Sequence, residues 1–233
     1  MDFLLTPEII IALLSLIILE IVLGIDNLVF ISILVSRLPK SEQSKARNIG
    51  LFLAMFMRVG LLFCLTWIMK LSEPVFTIMM NQISGRDIIL ILGGIFLIFK
   101  STREIHHHIE NEDNEQQTKE GVFFSIILQI ILLDIIFSLD SVITAIGLAG
   151  DQLYIMVTAI IVAIIFMLIF IGSISRFIDE HPTVKILALS FLLLIGMALI
   201  GDGLDMHIPK EYIYFAMGFS IFVELINMKS NKK

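Results

Sequence analysis

Long apolar stretches fill most of this 233-residue chain, and inside two of them sit carboxylates that a bilayer would normally reject. The first reads Glu20-Ile-Val-Leu-Gly-Ile-Asp26-Asn27 and the fourth Asp134-Ile-Ile-Phe-Ser-Leu-Asp140-Ser141, so each carries an acid, five residues, a second acid and then an amide or hydroxyl. A charge placed centrally in a membrane helix costs about 3 kcal/mol by insertion scales, so such residues face a protein interior, where they bind ions, relay protons or pair with a base. The matched spacing points to a cation site.

Composition agrees with a membrane setting. The chain is 58% apolar and 16% charged, with a mean hydropathy of +0.97, more than a soluble core of this size requires. The start Met1-Asp2-Phe3 lacks the basic end of a secretory signal, and the first apolar run exceeds a signal's apolar core, which predicts a retained helix. The single Cys64 excludes an internal disulfide and a clustered thiolate metal site. A net charge of -6 without a basic patch argues against nucleic acid as a partner.

About 20 residues per crossing predicts an all-α, polytopic transmembrane bundle of seven helices, at 8–34, 48–70, 86–101, 122–149, 153–173, 185–202 and 211–228. The third, about 14 residues from Asp87 to Lys100, is also short enough for a buried or re-entrant segment. The fourth is long enough to require tilt, a break near Gly147 or an extramembrane turn. With the N-terminus outside, 12 Lys and Arg residues fall on the cytoplasmic side and three, Lys70, Arg86 and Lys210, fall outside. The positive-inside rule therefore predicts N-out and C-in in a bacterial-type plasma membrane. Helix one then runs inward and helix four outward, so residues 1–101 and 122–202 form three-helix halves of inverted topology. A mobile polar cytoplasmic linker at 102–121 joins them, and 203–233 supplies the seventh helix and a basic tail. Inverted repeats hold substrate near the midplane and alternate its access. The bland alternative is that the acids merely hold helices together.

Six residues along a helix rise about 9 Å and end about 120° out of alignment, so one acid pair need not chelate one ion. Glu20 with Asn27, and Asp134 with Ser141, lie near a common face at spacing seven. Gly24 could loosen the first helix, and Ser138 could donate its hydroxyl to the site or to its own helix. The leading ligands are Asp26 and Asp140, then Glu20 and Asp134, with Asn27 and Ser141 as neutral oxygen donors. Oxygen ligands suit Mn2+, Ca2+ or Mg2+, carried as cargo with no resident cofactor. Arg58, inside helix two, either neutralises an acid and gates the site or snorkels to the interface.

Other polar residues point elsewhere. His106, His107 and His108 are adjacent, diverge on a helix and border the acidic linker. Glu224 either faces a polar cavity, where it could pair charge or gate, or snorkels near the cytoplasmic end. Asp202, Asp205 and His207 gather near Gly201, Gly203 and Pro209, a loop composition. The 12 methionines are scattered as gap fillers.

The two acidic stretches, together with His181-Pro182-Thr183-Val184-Lys185-Ile186-Leu187-Ala188-Leu189-Ser190-Phe191, resemble the TerC family of integral membrane proteins over nearly the whole chain. The chain is similar to the short, membrane-only form of that family. The resemblance implies metal-ion transport, with manganese efflux prominent and a historical link to tellurium resistance. It carries a transport role onto Glu20, Asp26, Asn27, Asp134, Asp140 and Ser141. The expected function is alternating-access export of a divalent cation, with protons as a candidate coupling ion. The competing expectation is a nontransporting membrane scaffold in a metal or tellurium stress-response complex. No hydrolase nucleophile set, phosphate-binding glycine motif or zincin motif suggests an enzyme.

The topology is testable with single cysteines introduced into a Cys64-free variant and an impermeant thiol reagent. Positions 104–120 should stay unlabelled in intact cells while the 71–85 link labels. Labelling of 104–120 from outside, with cytosolic controls unlabelled, overturns the orientation.

Overall fold

The computed structural model describes residues 7–64, 74–78, 81–110, 120–149, 152–206 and 208–230, without the side chains at 26, 75–78, 81–82, 120, 140, 143–149 and 210. Seven helices are present among them: α1 (Pro7–Val35), α2 (Lys40–Phe63), α3 (Gly85–Ile109), α4 (Glu120–Ala149), α5 (Leu153–Glu180), α6 (Pro182–Gly203) and α7 (Lys210–Ser230). A two-stranded antiparallel hairpin, β1 (Pro74–Ile78) and β2 (Asn81–Ser84), precedes α3 and is a small addition to the all-α expectation. Five helices, α1, α2, α4, α5 and α6, are long and apolar enough to cross a bilayer. In α3 the apolar stretch 88–99 is bounded by charge and rises only about 18 Å against a hydrocarbon core of about 30 Å.

Helix ends depart from hydropathy in a consistent way. The second helix begins at Lys40, directly after Pro39, rather than at 48, and the third continues to Ile109 rather than 101. Hydropathy reports the stretch that suits lipid, whereas Lys, Gln, Glu and Arg propagate a helix well in water. The polar linker therefore gives up 102–109 to α3, where Ser101 and Glu104 are buried, and 111–119 lie outside the described residues. Neither Gly24 nor the approach to Gly147 interrupts its helix; α4 is continuous through Ala149.

The chain forms two compact units. The first holds α1, α2, α4 and α5 as far as Arg176, and the second holds the hairpin, α3, α6 and α7. In the first unit, a Cβ on Gly24 would lie 2.5 Å from Met167 Sδ, and Ser32 Oγ meets Ser175 Oγ at 2.7 Å. Both contacts have a sequence offset of 143, so α1 and α5 run parallel. Helices α2 and α4 also ascend together, from Gly50 against Ile130 to Arg58 against Asp134.

In the second unit α3 and α6 are antiparallel. A Cβ on Gly94 would strike the Gly196 carbonyl oxygen, and one on Gly196 would lie 2.9 Å from the Gly94 carbonyl oxygen; each glycine also faces the isoleucine four residues after its partner, Ile200 and Ile98. Further along, Gly203 faces the Asp87 carbonyl and Ile91. The backbones touch because neither glycine carries a side chain, the way membrane helices gain close packing. These directions, taken within each unit, are those that alternate crossings of a membrane produce. The outward surface is apolar: Ile169 is 68% exposed, Phe124 70% and Phe215 77%, which suits lipid rather than water.

Replacing Gly94 or Gly196 with Ala should cost about 1–3 kcal/mol through overpacking, seen as a lower unfolding temperature in detergent. Gly172→Ala, with no atom within 4 Å of its Cβ, serves as the neutral reference. Equal stability of all three variants would contradict the backbone crossing.

Candidate functional site

Glu20 and Asp134 both lie at the middle of their helices, 13 residues into the 29 of α1 and 14 into the 30 of α4. That is about 20 Å from either helix start, at 1.5 Å per residue. Both are nearly inaccessible, at 2% and 5% exposure. What joins them is Arg58, 2% exposed, projecting from α2 within the same unit. Its Nη1 donates to Glu20 Oε2, and its Nε and Nη2 both donate to Asp134 Oδ1, at 3.0 and 2.9 Å. The planar guanidinium suits this role because it offers five donors in a fixed fork and no acceptor. Snorkelling is thereby excluded for Arg58: its head is paired in the interior.

Neutral groups complete the arrangement. Asn27, seven residues after Glu20, donates Nδ2 to Asp134 Oδ1 at 3.4 Å, and Ser138 donates its hydroxyl to Asp134 Oδ2 at 3.2 Å. The choice left open for Ser138 thus falls to the carboxylate. Ser141 is buried, and its hydroxyl bonds to its own helix at the Ser138 carbonyl, 3.3 Å away. Gly50 permits the approach of α2 to α4, since its missing Cβ makes room for Ile130. Leu16, Ile130 and Leu133 are buried along the same helices, so the charges sit in an apolar wall where ionic contacts are poorly screened.

The backbone of Asp26 and of Asp140 is helical, but their side chains lie outside the described residues. Among the described residues no group of three or more His, Cys, Asp or Glu side chains is placed to hold a metal ion. The described set comprises two carboxylates, one amide and nearby hydroxyls around one guanidinium.

The remaining candidates take local partners. Glu224, in the second unit, accepts a hydrogen bond from the Thr183 hydroxyl in the first turn of α6. His106 pairs with Glu110 at 3.0 Å on an exposed surface, and Arg103 donates to His107 at 3.4 Å. His108, beyond the apolar span of α3, is held below the usual histidine range by burial and then by the Lys185 ammonium. Asp205 adopts a positive φ of 59° in the turn after α6, whose amide hydrogen bonds close on Gly201 and Asp202, so a loop role accounts for it; His207 lies outside the described residues. The buried Ser32–Ser175 contact escaped sequence reading. Its only signal was one serine among the few hydroxyls of each apolar helix, which also describes any serine bonded to its own backbone.

Removing one member of a buried ion group leaves an uncompensated charge and costs about 3–5 kcal/mol. Arg58→Met should therefore sharply lower the unfolding temperature, and adding Glu20→Gln with Asp134→Asn should restore much of the loss. A triple variant no more stable than Arg58→Met alone would refute the charge pairing as the cause.

Sequence comparison agrees with this architecture. The UPF0053 inner membrane protein YgdQ of Escherichia coli K12 is 52% identical over 227 residues, covering 97% of this chain and 95% of that protein. A UPF0053 protein of Haemophilus influenzae is 52% identical over 228 residues, covering 97% and 96%. The UPF0053 inner membrane protein YoaE of E. coli K12 is 48% identical over 229 residues, which span 97% of this chain and 44% of YoaE. No solved structure matches the chain. Residues 5–232 match the family described as integral membrane protein TerC, and with relatives this similar along their full length the chain belongs to the TerC family of integral membrane proteins.

Proposed function

We propose that this protein is a secondary transporter that exports a divalent metal cation, Mn2+ in preference to Ca2+ or Mg2+, through its acidic intramembrane site. The observation that carries this reading is the meeting of Glu20 and Asp134, corresponding acids of the two matched stretches, at mid-helix depth in one buried polar group. Carboxylate pairs at such depth are retained where an ion or proton must be held. Asp26 and Asp140 would complete the oxygen set, with Asn27 and Ser141 beside them. The parallel packing of α1 with α5 and of α2 with α4 supports an inverted repeat, since exchanging the first two helices of each half maps one pair onto the other. The antiparallel, reciprocal crossing of α3 with α6 supports it as well.

In this reading the carboxylates replace water around the entering cation, and movement of the helices exposes them to the opposite side. Protons are the proposed counter-ions, because an acid vacated by metal can take one up. No covalent chemistry is involved. The proposed location is a bacterial inner membrane, supported by the names of YgdQ and YoaE, with the N-terminus outside, supported by the basic residues.

A second reading, a nontransporting scaffold in a metal or tellurium stress-response complex, draws on the Arg58 bridge, since acids already paired can serve cohesion alone. Full-length protein in sealed liposomes separates the two: Mn2+ flux that responds to an imposed proton gradient supports transport. Absence of flux for Mn2+, Ca2+ and Mg2+ alike, together with stable partner capture, supports the scaffold. Asp26→Asn and Asp140→Asn should each lower flux at least about tenfold, because an amide supplies no charge, while His107→Ala should change it little. Near-normal flux and affinity in both aspartate variants would remove them from the site; lost flux with normal binding would assign them to proton coupling or gating.

A further inference from the structure

We propose that Arg58 is a tethered competitor of the cargo: its guanidinium occupies the Glu20–Asp134 pair when no metal is bound, and a cation enters only as that head group leaves. This deepens the transport reading and rests on it for the identity of the cargo, though the competition can be measured without transport. The guanidinium is the only cation bonded to this group among the described residues, and it contacts acids from two different helices at once. Arginine has donors and no acceptor, so it cannot share the site as a ligand, and its charge repels an incoming metal. The occupant can leave while the backbone of α2 stays in place, because the head is carried on a long flexible stem.

Charge makes the exchange physically reasonable. Two carboxylates bonded to one guanidinium retain one net negative charge, whereas a divalent cation neutralises both. The acids therefore prefer the metal on electrostatic grounds, and the covalent tether favours the arginine by keeping it always at hand. Ser138 and Asn27 hold the Asp134 carboxylate through either state, since one donates to Oδ2 and the other to Oδ1. A site whose competent form is only fractionally populated shows an apparent dissociation constant raised by that fraction. Weakening Arg58's hold should therefore tighten metal binding, although it weakens the fold.

The test measures Mn2+ binding to purified full-length protein in detergent, by calorimetry, for wild type, Arg58→Gln and Arg58→Lys. Lysine keeps one positive charge but has three donors in place of the planar five-donor fork, so its hold on the two acids is weaker, and it guards against failure of the glutamine variant to fold. Arg58→Lys should bind Mn2+ at least about tenfold more tightly than wild type, by the population argument, and Arg58→Gln, where folded, more tightly still. Adding Glu20→Gln or Asp134→Asn to Arg58→Lys should abolish the gain. Unchanged or weaker binding by the folded lysine variant overturns the proposal and leaves Arg58 as structural glue. A gain that survives loss of both acids overturns it too, because the ion would then bind elsewhere. Wild-type protein that moves no cation in liposomes, combined with tightened binding in Arg58→Lys, would end the transport reading and retain the competition.

Discussion

Everything in the first unit is organised around one guanidinium shared between two carboxylates in an apolar interior. Neither Glu20 nor Asp134 can remain charged and buried without a cation beside it, and Arg58, at 2% exposure, fills that place in the structure. The arrangement obliges α1, α2 and α4 to meet within side-chain reach. Gly50 makes the necessary space beside Ile130. A charged triad is a poor source of net stability compared with apolar packing, but a strong penalty on any arrangement that separates its members. It therefore specifies which three helices assemble and in what register.

The two units are held together internally by different means. Lipid offers apolar side chains no gain on leaving it for a neighbouring helix, so membrane helices associate through polar contacts or close backbone packing. The first unit uses the polar route, with the Arg58 group at mid-depth and the Ser32–Ser175 contact further along α1 and α5. The second uses reciprocal glycines, Gly94 and Gly196. Polar side chains also meet at its helix ends: Ser84 and Asp87 bond reciprocally at the start of α3, and Thr183 bonds Glu224 where α6 begins. Among the described residues, the first unit thus carries its buried charges at mid-helix depth, where the second brings two glycine backbones together.

Much of this was legible in the sequence, for reasons that can be traced to particular residues. Seven helices follow from apolar length, and the burial of Glu20 and Asp134 follows from the cost of a carboxylate in lipid. The spacing of seven from Glu20 to Asn27 placed both side chains near one group, as the contact of Asn27 with Asp134 shows. For Arg58 the sequence left pairing with an acid and snorkelling both open, because α2 was expected to start at 48, two to three turns before the arginine; with Lys40 as the first residue Arg58 is about 27 Å along the helix. Gly24 was read as a weakness in α1, whereas it accommodates Met167 on α5. A glycine's purpose depends on what passes opposite, and periodicity carries no record of the neighbour. The same holds for Gly94 and Gly196, which are separated by about a hundred residues.

The separation in sequence between members of the Arg58 group has a consequence for biosynthesis. Chains emerge from the ribosome N-terminus first, so Glu20 and Arg58 are both present once α1 and α2 have been made, and they cancel each other as that hairpin enters the bilayer. Asp134 arrives more than seventy residues later on α4. Until then Nε and Nη2 of the arginine, the donors that meet Asp134 in the finished fold, lack that acceptor. On this ordering the α1–α2 hairpin would already carry the donors that α4 meets when it docks.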